Sequence, residues 1–203
     1  MAKVKIWIEG SIESYVMFRK LERLRRLTEI LGLTMHTVEL AEPPGTTDHP
    51  HPVFLLGAAG ERHLLDELEA NLQSLVRDGL ITVWHDLKLQ GGDPRDLVRN
   101  RFFESAHLIL LLMSPGFYNC DTAYNLGLRA LDRNRAGQVL VVPVIEQTVD
   151  WLSGPFGALQ PLPKSAKPVA KWENKADAYL EISQGIRDAL SFWEEGDPRK
   201  ALN

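Results

Sequence analysis

The run at residues 107–113, HLILLLM, constrains this chain more than any other stretch. It is almost unbroken in apolar character, too short to cross a membrane, and the right length for a strand buried on both faces. A strand of that kind needs helices above and below it, which the rest of the chain must supply. Ser114-Pro115-Gly116 stops the strand. Ser114 or Asn119 is then placed to cap a helix that turns Ala123, Tyr124, Leu128 and Leu131 towards the core. In open α/β sheets, ligands bind beyond the carboxyl ends of the strands, so residues 114–127 are where a pocket is expected.

Strand and helix signals alternate on either side of that run. Residues 3–9 alternate, with Val4, Ile6 and Ile8 on one side, as a half-buried strand does. Residues 15–31 place Phe18, Leu21, Leu24, Leu27, Ile30 and Leu31 at helical spacing. The opposite face carries Arg19, Lys20, Arg23, Arg25 and Arg26, either a solvated face or a surface for an acidic partner or lipid. A second strand at 34–40 completes a strand–helix–strand extension over 1–41. Four prolines and a glycine then mark 42–52 as a linker. His49 and His51 lie within it, but no second pair stands at a metal-ligand spacing, so no metal is expected.

Beyond the linker, 53–56 reads as a short strand. Residues 61–77 read as a helix with Leu64, Leu65, Leu68, Leu72, Leu75 and Val76 inward. Residues 80–84 form a strand, 86–96 a loop, and 97–105 a helix with Leu97, Val98 and Phe102 inward. Residues 139–145 form another buried strand, in which Pro143 is tolerable near the end. A Gly/Pro-rich segment at 153–163 leads to a short strand at 168–170. A last helix spans 177–192, and 193–203 is a polar tail. This alternation predicts a mostly parallel sheet with helices on both faces.

Charge and composition narrow the function classes. A formal charge of -4 gives no support to a nucleic-acid or acidic-membrane partner for the whole chain. Cys120 is the only cysteine, which excludes an internal disulfide framework and fits a reducing compartment. No segment approaches the ~18 apolar residues of a membrane span, and the first ten residues lack a signal-peptide core, so a cytoplasmic protein is expected. Neither G-x-G-x-x-G nor G-x-x-x-x-G-K-[ST] occurs, and no G-x-S-x-G elbow is present. Gly57-Ala58-Ala59-Gly60 precedes a helix, where its amides could meet an anion or simply make a tight turn.

More specific is the order of several short motifs. Val53-Phe54 is followed by LLDEL at 64–68, then by Val83-Trp84-His85-Asp86 leading to Gly91-Gly92. Next come AHLILLLMSPGF at 106–117, VVPVI at 141–145 with Asp150-Trp151, and Pro155-Phe156-Gly157. Lys167-Pro168-Val169 before Trp172, and Gly185-Ile186-Arg187, complete the series. With these motifs in this order, residues 53–192 resemble a bacterial TIR (Toll/interleukin-receptor) domain. The resemblance implies a flavodoxin-like parallel five-stranded sheet with helices on both faces.

It also implies two kinds of activity. Many TIR domains assemble with other TIR domains through the loop after the second strand, here Leu87, Lys88, Leu89, Gln90, Gly91, Gly92, Asp93 and Arg95. Others cleave NAD or cyclise the ADP-ribose product, using a glutamate on the helix after the third strand to stabilise an oxocarbenium-like ribose. The family's pattern there is close to S-P-x-F-x-x-S-x-x-C-x-x-x-E. Ser114, Pro115 and Phe117 match it, whereas Cys120, Ala123 and Gly127 stand at its second serine, its cysteine and its glutamate. By family position the pocket is Gly57, Glu61, Trp84, Asp86, Ser114, Phe117 and Tyr124, with no catalytic residue. Glu104 and Glu146 are the nearest other acids, on other elements.

The resulting expectation is a TIR signalling or assembly protein of a bacterial defence-type pathway, catalytically inactive or weak. It requires no cofactor, although NAD or an NAD-derived ligand could bind. Its partners would be other TIR domains or copies of itself, with a further partner protein reached through residues 1–41. The alternative is an NAD glycohydrolase or ADP-ribosyl cyclase whose carboxylate is displaced or supplied across an assembly interface.

Overall fold

The computed structural model describes residues 50–194, with side chains to Ser191. The strand–helix–strand extension, most of the linker and the end of the tail lie outside the described residues. Four parallel strands form the sheet: β1 (His51–Leu56), β2 (Ile81–Trp84), β3 (Leu108–Met113) and β4 (Leu140–Ile145), in the order β2-β1-β3-β4. Val53 is registered against Val83 on one side and Leu108 on the other, and Leu108 against Leu140. β1 begins two residues earlier than its apolar run, because His51 and Pro52 extend the ladder along β2.

Alternation along the strands divides the core into two layers. Val53 and Leu55, Leu108, Leu110 and Leu112, and Leu140, Val142 and Val144 face one layer. There they meet α1 (Arg62–Asn71), α2 (Gln73–Arg77) and α6 (Lys175–Glu194) through Leu64, Leu68, Leu72, Tyr179, Ile182 and Ile186. Phe54, Leu56, Ile109, Leu111, Met113, Val141 and Ile145 face the other layer. That layer is covered by α3 (Arg95–Ser105), α4 (Pro115–Asn119) and α5 (Asp121–Arg135). All six residues of β3 are buried, as the opening run requires. No helix among the described residues is long and apolar enough to cross a membrane.

Several expectations are corrected. The sheet has four strands among the described residues, not five. Residues 168–170, expected as the fifth strand, contribute instead to a 3-10 turn at Val169–Lys171. The outer edge of β4 is met by one residue, Leu162, whose N–H donates to Pro143 O at 2.8 Å and whose carbonyl accepts from Ile145 N at 2.9 Å. Pro161 and Pro163 flank Leu162 and have no N–H to donate, so pairing stops after one bridge. The same contact explains how β4 tolerates Pro143: its polar groups face Leu162, and the missing donor falls outside the β3 ladder.

Three helices also depart from expectation. The stretch at 61–77 divides into a 3-10 turn at Ala59–Glu61, then α1 and α2 separated at Leu72. The helix after β3 breaks at Cys120 into α4 and α5, and Ser114, not Asn119, caps α4 by accepting from Phe117 N at 3.1 Å. In α3 the buried residues are Arg99 and Phe103, one turn apart, while Leu97 is 63% exposed. Phe103 packs edge-on against Phe54 of the central strand, and that contact sets the helix's rotation.

Candidate functional site

The strand order reverses between β1 and β3, because the chain leaves β1 towards β2 and returns to β3 on its other side. The crevice outside the carboxyl ends of those two strands is where open α/β sheets bind ligands. In this protein a carboxylate of the chain itself lies across it. Glu61, in the turn after β1, accepts from the Ser114 hydroxyl and from Gly116 N (3.2 Å), both in the segment after β3. The fully buried Ser114 hydroxyl in turn accepts from Phe117 N. A Cβ on Gly116 would stand 2.3 Å from Glu61 Cδ, so this approach requires glycine. Gly57 backs the same crevice; a Cβ there would touch Leu65 Cδ2 at 3.3 Å and Leu112 Cβ at 3.5 Å.

Behind Ser114 the space is aromatic. Phe117 meets Phe156 at 5.7 Å between ring centroids and Tyr118 at 5.6 Å, both edge-on, and Tyr124 meets Phe156 at 5.9 Å. Gly127, on α5, faces this cluster. A Cβ at that position would lie 2.9 Å from Phe117 Cζ and 3.0 Å from Phe156 Cζ. Both rings are fully buried, so neither tip can swing aside. Burial also pushes the Tyr118 hydroxyl up to about 12, with Tyr124 and Asp150 adding to the effect.

Trp84 and Asp86, expected to line the same pocket, are engaged with α3 instead. Trp84 stacks on Phe102 at 4.6 Å between centroids, with 10° between the ring planes. Asp86 accepts from Arg99 Nε at 2.7 Å, and Arg99 Nη1 donates to Asp96 at 2.9 Å. Of the seven residues placed by family position, the structure links Glu61, Ser114 and Phe117 through one hydrogen-bonded chain. Tyr124 lies near Phe117, and Gly57 backs the crevice.

The loop after β2 is pinned at its start and open at its tip. Lys88 donates to Glu69 Oε1 (2.5 Å) and to Val83 O (2.7 Å), and His85 Nε2 lies 2.7 Å from Glu69 Oε2. The His85 contact, joined by Lys88 and opposed by burial, holds the Glu69 carboxyl down to about 2. Gln90 N donates to Asp93 Oδ2 at 2.9 Å across the tip, where Gly92 adopts φ +88°. Gln90, Gly91, Gly92, Pro94 and Arg95 are exposed, as is Leu97, whereas Leu89 packs into the core layer. Among the described residues, no group of three His, Cys, Asp or Glu is placed to hold a metal ion.

The sequence places Glu61 and Ser114 in one pocket but does not give their direct contact, which joins segments far apart in the chain. It named Glu146 as a nearby acid but not its burial: the residue directly follows β4 and is 2% exposed. A charged residue continuing an apolar run was the available signal.

No protein-family model matches the chain. A Sinorhizobium fredii protein, the uncharacterized protein y4lF, is 32% identical over 138 residues, which cover 68% of this chain and 43% of that protein. The chain thus spans less than half of that relative's length. Among solved structures, the chain is similar to the TIR domains of the activated Roq1 resistosome directly recognizing the pathogen effector XopQ. That match has 18% identity, covers 74% of this chain and 83% of that chain, and has a TM-score of 0.38.

Proposed function

We propose that residues 50–194 form a TIR-type signalling module that works by assembling with its own copies or with other TIR domains, in a bacterial defence-type setting, and does not cleave NAD. The observation that carries this reading is the packing at Gly127. Ribose cleavage needs a carboxylate facing an open pocket, where it can stabilise a developing cation. At Gly127 there is neither a carboxylate nor room for one, since Phe117 and Phe156 fill the space a side chain would enter. The other acid expected nearby, Glu61, is committed to Ser114 and Gly116. A surface remains for association: the pinned loop presents the exposed 90–92 tip, and Arg95 and Leu97 follow it on α3. An exposed leucine beside an exposed, charged loop suits a modest protein contact.

Two measurements test this. Incubation of concentrated protein with NAD is expected to release no nicotinamide above the buffer control. Release that disappears in Glu61→Gln or Glu146→Gln would make the protein an enzyme and overturn the reading. Light scattering is expected to show a concentration-dependent rise in mass that Arg95→Glu and Leu97→Glu each reduce. Both positions are exposed, so neither change should disturb the fold. Equal mass in wild type and both variants would remove this loop from the interface.

A further inference from the structure

We propose that Glu146 is a proton-binding switch built into the fold: neutral, it lets α6 dock on the carboxyl end of β4, and ionised, it weakens that docking. Glu146 joins four parts of the domain. Its N–H donates to Met113 O at the end of β3 (3.2 Å), and its carbonyl accepts from Ala170 N in the 169–171 turn (3.0 Å). It directly follows β4, and its side-chain Oε2 lies 3.1 Å from the Tyr179 hydroxyl on α6. The other carboxyl oxygen, Oε1, is buried without a partner.

The charged groups around it disfavour ionisation. Glu61, from the turn before α1, and Glu67, on α1, both act on it as like charges. Lys175, on α6, is the nearby cation, but its ammonium is engaged by both oxygens of Glu67 at 3.0 and 3.1 Å. Among the described residues, Tyr179 is then the only side-chain donor to Glu146. That hydroxyl has a single proton to give, and it donates it to Oε2. With Glu146 neutral, no charge is buried there: one oxygen stays paired with Tyr179, and Lys175 neutralises Glu67. With Glu146 ionised, a charge stays buried with Tyr179 as its donor and one oxygen unbonded. Burial, assisted by Glu67 and Glu61 and opposed by the Tyr179 hydrogen bond, raises the carboxyl to about 7.

Detaching α6 hydrates Glu146 and returns it to the ordinary carboxylate range. Detachment therefore releases a proton wherever the docked form holds one and the open form does not. The sign follows: docking is firm in acid, weakens as pH rises from about 5 to about 7, and levels off above.

The test uses the full 203-residue chain. In a carbon-13 titration of side-chain carboxyls, one glutamate should titrate near pH 7 and its signal should be missing in Glu146→Gln. In Tyr179→Phe the midpoint should move upward, because the lost hydrogen bond favoured the charged form. Hydrogen-exchange protection of the Ile182 and Ile186 amides, corrected for intrinsic rates, should fall about tenfold per pH unit between about 5 and 7. In Glu146→Gln it should not vary over that range. The proposal is overturned if every glutamate titrates below pH 6. It is equally overturned if α6 protection in the wild type is flat with pH, or if Glu146→Gln retains the wild-type slope. Should Glu146→Gln fail to fold, the wild-type titration and the Tyr179→Phe midpoint decide the matter.

Discussion

At Gly127 two residue-scale effects compete. Replacing a helical glycine with alanine gains about 1 kcal/mol in helix propensity. Forcing a methyl against two immobile rings costs about 1–3 kcal/mol. With contacts of 2.9 and 3.0 Å the second effect wins, and Gly127→Ala is expected to lower stability by about 1 kcal/mol in urea denaturation. Gly127→Glu should fail to fold and gain no activity, since it adds both bulk and a buried charge. Soluble, folded Gly127→Glu protein would refute the packing described. At the second glycine, Gly116→Ala should destabilise the wild type but cost much less in a Glu61→Ala background, since the carboxylate is what the methyl meets. Equal costs in the two backgrounds would separate these residues. That position 127 lacks a carboxylate was legible in the sequence. The cause of the glycine was not, because Phe156 comes from a loop beyond β4.

Among the elements, the strands were the most legible and α3 the least. Apolar runs identify β3 and β4 directly, since strands covered on both faces need no alternating pattern. The apolar residues of α3, in contrast, divide: Val98 and Phe102 pack partly against the core as expected, whereas Leu97 faces out. Its inner stripe is Arg99 and Phe103, and an arginine is tolerated there because Asp86 and Asp96 neutralise it. That pairing depends on a loop conformation that no periodicity encodes. Arg99→Ala strands Asp86 beside the core and is expected to cost about 2 kcal/mol, less than for a fully buried pair because Asp86 keeps a third of its surface. A change below 0.5 kcal/mol in the denaturation midpoint analysis would mean that the pair is ornamental. The absence of a fifth strand among the described residues has a similar origin: the Gly/Pro-rich composition of 153–163 predicts a loop, yet Leu162 between two prolines is the residue that reaches β4.

Among the described residues, one buried and two half-buried groups shape the response to pH in opposite directions. Glu69, held at about 2, contributes stability above its ordinary range that is lost as pH falls from about 4.5 towards 2. Glu146, raised to about 7, contributes stability in acid that is lost as pH rises from about 4.5 to 7. His107, lowered by burial and by His51, acts against Glu146 by disfavouring the folded state as it becomes protonated. The Glu146 share is therefore read as a difference: stability of the wild type minus that of Glu146→Gln should fall by roughly 3 kcal/mol between pH 4.5 and 7.5. A difference constant with pH would mean that this carboxyl ionises as freely in the fold as outside it.

The strand order also governs how the domain is made. β1, the first described strand to leave the ribosome, is one of the two inner strands, and its partners β2 and β3 come later in the chain. Among the described residues no hairpin shelters it in the meantime, and pairing at such separations is slow. Until β3 is complete, Val53, Phe54, Leu55 and Leu56 are a sticky, unpaired segment. The vulnerable moment for this protein is thus its synthesis, when a chaperone's grip on the first strand would do most to keep nascent chains from aggregating.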